Sequence, residues 1–471
     1  MISPVPGPRA ISVGAISLGC PKNLVDTEVM LGLLREAGFA LVPEEAGPEV
    51  LLVNTCCFVA AARQEAAAAL EKAAARRRAG EVKALVCAGC WPQADLAHLR
   101  QRFPEVDAFM GPGDVANIVS IVSGALAGSG QPGPAAPPSS FLYDDHLPRV
   151  LATPPWTAYI KIAEGCSRGC RFCVIPRLRG PQRSRPPDSI LREARALAAA
   201  GVREVNLVAQ DTTAYGSDRG GPGLADLLGE LAAVDGLHWV RLLYGFPDRV
   251  DDRLIDVMAR HARICHYIDL PFQHADPEIL RRMGRPGDGA AYLRLIERLR
   301  AAMPDIAIRS TFLVGFPGEH EEHFRRLLEF VEAAGLDRAG AFQYSPEQGT
   351  PAAAMPDRPP PEVAAERYHR VMTLQQRLSL ARNRLWVGRE IEVLIEAAGP
   401  VPGEWIGRSF RDAPEVDGTV RVIGPRRGLR GGDLVLVRVS GAEPYDLIAE
   451  PVASTRARRP AGRGRAPDRP Q

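Results

Sequence analysis

The chain has 471 residues, of which 46% are hydrophobic and 24% charged, as expected for a protein with several globular domains. Its formal net charge of +2 neither favours nor excludes a nucleic-acid partner. The sequence has no apolar run of the ~18–20 residues that a membrane span requires, and its N-terminus lacks the pattern of a secretory signal peptide. Its nine cysteines are an odd number and do not suit a disulfide framework, so we expect a cytoplasmic protein whose cysteines bind metal.

Residues 10–125 alternate apolar strands with helical patterns, which predicts a small parallel α/β domain. Three predicted strands each end near a cysteine, namely Cys20, Cys56 and Cys90. Because ligand sites in open α/β sheets lie beyond the carboxyl ends of the strands, these cysteines should share one edge. Cys57 should point to the face opposite Cys56, and Cys87 lies inside a strand and should be packed in the core.

The pattern changes further along the chain. Residues 126–150 are rich in Pro, Gly and Ser, which predicts a linker. Residues 151–387 repeat strands and helices, which predicts a full or partial TIM-type barrel. Residues 388–450 contain short alternating strands, typical of a small all-β barrel. The tail, residues 451–471, is rich in Arg, Pro and Gly and is expected to be disordered.

Cys166, Cys170 and Cys173 form a C-x3-C-x2-C motif after a predicted barrel strand, at the end where barrel enzymes keep their active sites. Thiolates are the preferred ligands of iron–sulfur irons. Three ligands leave the fourth iron of a cubane open to a substrate or cofactor. A structural zinc is the alternative, but it requires four ligands, and the remaining barrel cysteine, Cys265, lies in a strand.

The three strand-end cysteines Cys20, Cys56 and Cys90 are candidates for a second cluster of this kind. Gly19 and Gly89 would let the backbone approach a bulky ligand. Spacing alone does not decide between this interpretation and three small buried residues, the common fate of free cysteine.

The motif C-x3-C-x-F-C, with Phe172 at its aromatic position, resembles the signature of the radical SAM superfamily. The resemblance implies that S-adenosylmethionine (SAM) binds the open iron of a [4Fe–4S] cluster and is cleaved reductively to a 5′-deoxyadenosyl radical. Gln210, Asp211, Gly315 and Glu319 end predicted barrel strands and are candidate contacts of SAM, as is Phe172. A plain turn is an equal interpretation of Gly315–Glu319, and Asp269 and Gln273 are similar strand-end residues.

The order of the three domains resembles the methylthiotransferase family, whose β domain is the TRAM domain. The resemblance covers residues 10 to about 447 and implies that Cys20, Cys56 and Cys90 hold an auxiliary [4Fe–4S] cluster. The string SLGCPKNLVDTE is similar to the branch that modifies ribosomal protein S12, whereas the tRNA branch has a GCQMN-like sequence there. The implied reaction is methylthiolation of the β-carbon of an aspartate in S12. One SAM methylates a sulfur on the auxiliary cluster and a second supplies the radical, with sulfur-donor and electron-donor proteins as further partners.

Charge in the β domain also favours a protein substrate. Residues 388–447 contain eight basic and ten acidic residues, a net charge of −2, whereas an RNA-binding domain should be basic. Two alternatives remain open at this point: a methylthiotransferase acting on a modified adenosine of tRNA, and a non-enzymatic iron–sulfur scaffold or redox-sensing RNA-binding protein.

Overall fold

The structure, a computed structural model, describes residues 10–129, 133, 141–424 and 428–452. Within them the chain forms an N-terminal α/β domain, a larger α/β domain and a closed C-terminal β-barrel, which confirms the predicted fold class. The predicted tail lies outside the described residues from 453 onward.

The N-terminal domain is a five-stranded parallel sheet with the strand order β2–β1–β3–β4–β5. Its strands are β1 (Ser12–Ser17), β2 (Ala40–Leu41), β3 (Val50–Thr55), β4 (Ala84–Gly89) and β5 (Ala108–Met110). Its helices are α1 (Pro21–Glu36), α2 (Ala60–Arg78), α3 (Cys90–Ala94), α4 (Leu96–Arg102) and α5 (Ile118–Leu126). Successive β3 side chains enter two different cores, Val50 and Leu52 packing in one and Leu51 and Val53 in the other, because helices cover both faces of the sheet.

The second domain is an open sheet of six parallel strands, in which neighbours along the chain are neighbours in the sheet, so the barrel is partial. Its strands are β6 (Thr157–Lys161), β9 (Glu204–Val208), β10 (Trp239–Leu242), β11 (Ile264–Asp269), β12 (Ala307–Val314) and β13 (Arg338–Gln343), and β7 (Ala163–Glu164) pairs with β8 (Arg183–Ser184) in a short antiparallel ladder. Its helices are α6 (Ile175–Arg179), α7 (Pro187–Ala199), α8 (Leu224–Ala232), α9 (Asp252–Arg260), α10 (Pro277–Arg282), α11 (Gly289–Ala302), α12 (Glu321–Ala334) and α13 (Pro361–Arg384).

The C-terminal domain is a closed five-stranded barrel. Its strands are β14 (Glu390–Ala398), β15 (Glu404–Arg408), β16 (Val420–Ile423), β17 (Leu434–Ala442) and β18 (Leu447–Pro451). Alternate residues of β14, such as Ile391, Val393 and Ile395, fill its core, as the period of a strand requires.

Buried ion pairs attach this barrel to the larger domain. The carboxylate of Glu204 is fully buried and accepts hydrogen bonds from Arg408 (Nη2–Oε2 2.7 Å) and Arg241 (Nε–Oε1 2.9 Å). Arg411 likewise bonds to the buried Asp337, with 2.9 Å between Nη2 and Oδ1. Arg408 and Arg411 are therefore buried in contacts between domains. The net charge counted over the whole β domain differs from the charge on its surface for this reason.

The second half of the predicted linker, residues 141–150, makes specific contacts with both neighbouring domains. Arg149 donates to the buried Glu28 of α1 through Nε at 2.8 Å and to Glu193 of α7 through Nη1 at 2.7 Å. The backbone N–H of Val150 donates to the Glu28 carbonyl at 3.0 Å. Residues 141–150 thus fix the N-terminal domain against the partial barrel, and residues 130–132 and 134–140 lie outside the described part.

Candidate active site between two cysteine triads

The first triad comprises Cys20, Cys56 and Cys90. Because β1, β3 and β4 are adjacent and parallel, their carboxyl ends lie side by side, and each is followed by one of these cysteines. Cys20 caps the N-terminus of α1, Cys56 follows β3 directly, and Cys90 begins α3. Charge interactions link Cys56 with both Cys20 and Cys90. The predicted common edge is confirmed.

Glycine is required beside this triad. Gly19 has φ +91°, and a Cβ placed on it would lie 2.5 Å from the Cβ of Cys56. Gly89 has φ +99°, and its Cβ would lie 2.4 Å from the Thr55 carbonyl oxygen. The two glycines therefore let the cysteine-bearing turns approach one another closely.

We expect Gly19→Ala to reduce the iron bound by the first triad, because the new methyl group would displace Cys56. Gly38→Ala is the matched control, since Gly38 has φ +92° but no atom within 4 Å of its Cβ position. Both variants bear the backbone cost of about 1–2 kcal/mol for a left-handed non-glycine residue. Iron quantification and thermal unfolding of both would check this; equal iron loss in the two variants would contradict it.

The second triad, Cys166, Cys170 and Cys173, lies in the loop that follows β6 and β7, as predicted. Backbone hydrogen bonds hold this loop: Cys166 N–H donates to Gly180 O at 3.0 Å, and Arg171 N–H donates to Met283 O at 2.9 Å. Charge interactions link Cys173 with both other cysteines. The sequence motif is therefore brought together locally.

Positive groups surround the second triad. Arg168 donates its backbone N–H to the Cys166 Sγ at 3.4 Å, and Arg285 places Nη1 3.6 Å from the Cys170 Sγ. Both guanidinium groups stack on Phe246, each with its carbon 3.8 Å from the ring centroid. The half-buried Phe172 packs edge-to-face on Phe316, with ring centroids 6.4 Å apart. The loop is thus positioned by cations and by aromatic packing.

The pKa values of the cysteine thiols depend on burial and on nearby charges. Burial raises the pKa of Cys56 to about 12 and that of Cys173 to about 12, so a thiolate at either position needs an adjacent cation. Burial also acts on Cys20, but the charges of Lys22 and Arg179 outweigh it and lower the pKa of that thiol. No three His, Cys, Asp or Glu side chains in the described ranges converge closely enough to hold a single metal ion. Each thiolate of a cubane ligates a different iron, so the donor set of each triad fits such a cluster.

Arg179 links the two triads. It ends α6, directly after the second triad, is fully buried, and hydrogen-bonds with the Cys90 thiol of the first. Its Nη1 lies 3.0 Å from Asp26 Oδ2 and 3.1 Å from the Glu164 carboxylate. Lys161 donates to the same two carboxylates, at 2.7 Å to Glu164 Oε2. This ionic network joins the N-terminal domain, which carries the first triad, to the partial barrel, which carries the second.

Apolar side chains of the two domains also pack together beside the two triads. Val174, the residue after Cys173, and Leu178 of α6 belong to the hydrophobic core that contains Cys57 and Cys90. Above this contact, Arg63 of α2 forms a bidentate ion pair with the buried Glu347, which lies beyond β13. The two triads therefore meet at one interface between domains, a common location of active sites.

Of the residues predicted to contact SAM, Gln210 and Asp211 lie beside the second triad. Gln210 donates to Glu164 Oε1 at 2.7 Å, and its own Oε1 is buried without a hydrogen-bond partner in the described structure, which leaves it available to a bound donor. Asp211 accepts from Arg168 Nε at 2.8 Å, beside the second triad. These two residues are therefore close to the cysteine loop.

Gly315 and Glu319 have structural contacts. Gly315 has φ +74°, and a Cβ there would lie 2.6 Å from the Cβ of Ala364 in α13. Burial raises the pKa of Glu319 to about 7, while Arg367 opposes this through a bond of 2.9 Å. Glu319 also lies 3.7 Å from the buried His274.

Asp269 is the last residue of β11, and Gln273 follows that strand. Asp269 accepts from Arg309 Nη1 at 2.9 Å and from the Tyr244 N–H at 3.1 Å. Gln273 has φ +68°, which is unusual for a residue other than glycine and is found at functional sites more often than elsewhere.

Sequence reasoning missed Lys22, Arg179 and Arg285. Arg179 and Lys22 stand close to cysteines in the sequence, so basic residues flanking each motif were an available signal. Arg285 is far from Cys170 in sequence, and only the fold brings them together. Cys87 is packed in the core as predicted. Cys57 and Cys265 are also buried, and each of these three cysteines has at most 2% of its surface exposed.

Three protein-family models match this chain, one in each of its three domains. Residues 12–111 match the model described as uncharacterized protein family UPF0004, residues 160–331 that of the Radical SAM superfamily, and residues 387–452 that of the TRAM domain. Among solved structures, the methyltransferase TsrM from Kitasatospora setae, with cobalamin and a [4Fe–4S] cluster bound, is 16% identical with a TM-score of 0.52. That alignment covers 90% of this chain and 84% of that chain and concerns the fold alone.

Fold and cysteine loop together define a radical SAM enzyme that carries an α/β domain before its barrel and a TRAM domain after it. Curated relatives include the ribosomal protein uS12 methylthiotransferase RimO of Desulforamulus reducens, 48% identical over 93% of this chain and 99% of that protein. The RimO of Geobacter sulfurreducens is 45% identical over 93% of this chain and 98% of that protein. The chain belongs to the RimO family of radical SAM methylthiotransferases.

Membership of this family gives the enzyme SAM and [4Fe–4S] clusters as its cofactors. None of the helices in the described ranges is long and apolar enough to cross a membrane.

Proposed function

We propose that this enzyme transfers a methylthio group to the β-carbon of an aspartate in ribosomal protein S12. In this proposal Cys166, Cys170 and Cys173 hold the cluster that binds SAM, and Cys20, Cys56 and Cys90 hold the auxiliary cluster. The observation that carries it is the meeting of two three-cysteine sets at one interface between domains, in a chain similar to uS12 methylthiotransferases along nearly its whole length.

When bound, the clusters and SAM supply reductive cleavage, the radical that removes a substrate hydrogen, and the methylthio group itself. The residues of the chain position these bound groups and exclude water from the site. Arg168 donates its backbone N–H to Cys166, Arg285 places its guanidinium beside Cys170, and the side-chain oxygen of Gln210 is left to accept a hydrogen bond from a bound donor. The Arg63–Glu347 pair fixes the N-terminal domain over the carboxyl end of the barrel. Sulfur-donor and electron-donor proteins and a cytoplasmic location complete the proposal.

The test offers the reconstituted, reduced enzyme purified S12 and, separately, tRNA, each with SAM. Methylthiolated S12, detected by mass spectrometry, with unmodified tRNA is the expected result. Methylthiolated tRNA with unmodified S12 would instead assign the enzyme to the tRNA branch. Failure to form 5′-deoxyadenosine from SAM would favour a non-enzymatic iron–sulfur protein.

A further inference from the structure

Four arginines without carboxylate partners surround the loop of the second triad. Arg171 lies in this loop, Arg177 in α6, Arg282 at the end of α10 and Arg358 shortly before α13. Arg282 is half-buried, and the other three are exposed. In the described ranges, none of the four has a carboxylate within 4 Å, whereas the neighbouring Arg168 is paired twice. Their positive charges are therefore free to act on a partner.

Two of these arginines lie against the segment that follows β13. Arg177 donates from Nη1 to the Gln348 carbonyl oxygen at 2.9 Å. Four residues further along this segment, the N–H of Ala352 donates to the carbonyl oxygen of Arg171 at 2.9 Å. The two cations that flank Cys173 in sequence are thus held on the same side of the loop.

The other two arginines continue the same surface. The Cγ of Arg171 lies 3.3 Å from the Cβ position of Gly284, two residues after Arg282. The guanidinium carbon of Arg282 lies 2.3 Å from the Cβ position of Gly318, whose N–H donates at 2.7 Å to the residue before Arg358. These contacts join the four arginines into one surface, which we call the arginine face.

The arginine face differs in charge from the outer helices. Exposed arginines of α9, α11 and α13 have acidic partners, as in the pairs Arg253–Asp226, Arg298–Asp252 and Arg377–Glu332. Close to the face, Glu347 is buried and paired with Arg63, and the exposed Asp357 offsets a single positive charge. The face is therefore positive overall and suits an acidic partner.

Aromatic side chains connect the arginine face to the cysteine loop. The guanidinium carbon of Arg358 lies 5.8 Å from the ring centroid of Tyr344. That ring packs edge-to-face on Phe316 at 5.2 Å between centroids, and Phe316 packs in the same way on Phe172 at 6.4 Å. Phe172 directly precedes Cys173, so a partner on this face would lie next to the second triad.

We propose that the arginine face is the docking surface of a small acidic electron-carrier protein. This inference rests on the function proposed above, because reductive cleavage of SAM consumes one electron that must come from outside the chain. One electron leaves the reduced carrier and enters the cluster of the second triad. It then passes to SAM, where the bond between sulfur and the 5′-carbon breaks to give methionine and the 5′-deoxyadenosyl radical. Electron-transfer complexes are typically small and transient, and steering by charge speeds their formation.

Other partners of the enzyme suit this face less well. S12 is a ribosomal protein, and proteins that bind RNA phosphates carry positive charge, so the arginine face would repel it. Ribosomal RNA would be attracted, but it supplies no electron and gains nothing from a position beside the cysteine loop. The location of the face therefore favours the electron carrier.

The test measures 5′-deoxyadenosine formed from SAM by the reconstituted holoenzyme with two reductants. One is reduced flavodoxin, an acidic flavoprotein, and the other is reduced methyl viologen, a small cation that needs no docking surface. Arg177→Glu/Arg358→Glu should lower kcat/KM for flavodoxin by about 10-fold or more at low ionic strength, through a higher KM. The rate with methyl viologen should not change. The loss should shrink in 1 M salt, where charges are screened beyond about 3 Å.

A second double variant is the matched control. Arg195→Glu/Arg384→Glu changes the net charge equally at exposed arginines of α7 and α13 and should keep wild-type kinetics with both reductants. Arg177→Gln/Arg358→Gln removes the two charges without reversing them and should show a smaller loss with flavodoxin. It carries the test should the charge-reversed variant fail to fold.

Three results would overturn the proposal. The first is an undiminished kcat/KM for flavodoxin in Arg177→Glu/Arg358→Glu, and the second is an equal loss with both reductants, which would show that these arginines only support the cysteine loop. The third is normal 5′-deoxyadenosine formation with poor methylthiolation of S12 in small ribosomal subunits under methyl viologen, which would assign the face to ribosomal RNA. Wild-type enzyme that forms 5′-deoxyadenosine with flavodoxin but leaves S12 unmodified would refute the proposed function alone.

Discussion

Replacing Cys20, Cys56 and Cys90 together with alanine is expected to abolish methylthiolation of S12 while the enzyme still cleaves SAM to 5′-deoxyadenosine. The second triad lies in its own loop, held by backbone bonds to Gly180 and Met283 of the barrel, and does not depend on the N-terminal cysteines for its position. Loss of all protein ligands should lower methylthiolation by more than the roughly 10- to 100-fold that loss of an outer-shell partner costs. Mass spectrometry of S12 and chromatography of 5′-deoxyadenosine, run on the same samples, measure the two activities.

Cys87→Ala is the matched control for this prediction. Cys87 is buried in β4, three residues before Cys90, and packs in the core on one face of the sheet. Its replacement removes a thiol from the strand that leads to Cys90 without removing a proposed ligand, so both activities should persist. Residual methylthiolation by the triple variant at the rate of Cys87→Ala would show that the first triad does not hold the cluster used for transfer.

Glu204→Ala should release the C-terminal barrel from the rest of the enzyme and destabilise the fold by about 3–5 kcal/mol, the usual cost of breaking a buried ion pair. The carboxylate bridges Arg408 of the TRAM domain and Arg241 of the partial barrel, all three almost entirely buried. Removing it leaves two guanidinium groups in the interior without their shared partner. Urea unfolding and limited proteolysis near residues 385–389 would detect the change, with Glu297→Ala at an exposed position of α11 as control.

The Glu204 carboxylate also predicts that the stability of the fold depends on pH. Burial raises the pKa of Glu204, but Arg408 and Arg241 lower it to about 2. A carboxyl group whose pKa is lower in the folded than in the unfolded state stabilises the fold above its unfolded value, about 4.3. This contribution should be lost as the pH falls from there towards about 2, and the loss should be absent in Glu204→Ala. A variant as stable as Glu297→Ala, with an intact C-terminal domain, would contradict the assigned role.

Much of the site was predictable because it depends on local pattern. Strand and helix periodicity placed Cys20, Cys56 and Cys90 at strand ends, and parallel neighbours necessarily bring such ends to one edge. The spacing of the C-x3-C-x2-C motif confines its thiols to one loop. Both inferences require only short-range information and the rules of parallel sheets.

The contacts between domains were not predictable. Arg179 reaches Cys90, and Lys22 reaches Tyr244, through pairings far apart in the sequence that only the packed fold determines. Which charges of the β domain are buried was not predictable for the same reason, since Arg408 and Arg411 pair with Glu204 and Asp337 of another domain. Likewise, the glycine at 315 is explained by its approach to Ala364, a residue of a distant helix.

The central claim is that two separate cysteine triads each hold one [4Fe–4S] cluster. Iron and sulfide quantification, combined with electron paramagnetic resonance, tests it most directly on the wild type and on the two triple alanine variants, Cys20/Cys56/Cys90 and Cys166/Cys170/Cys173. We predict about eight irons in the wild type and about four in each variant, because a cubane contains four. A Cys166/Cys170/Cys173 variant that retains no iron would contradict the claim, because the first triad would then hold no cluster of its own.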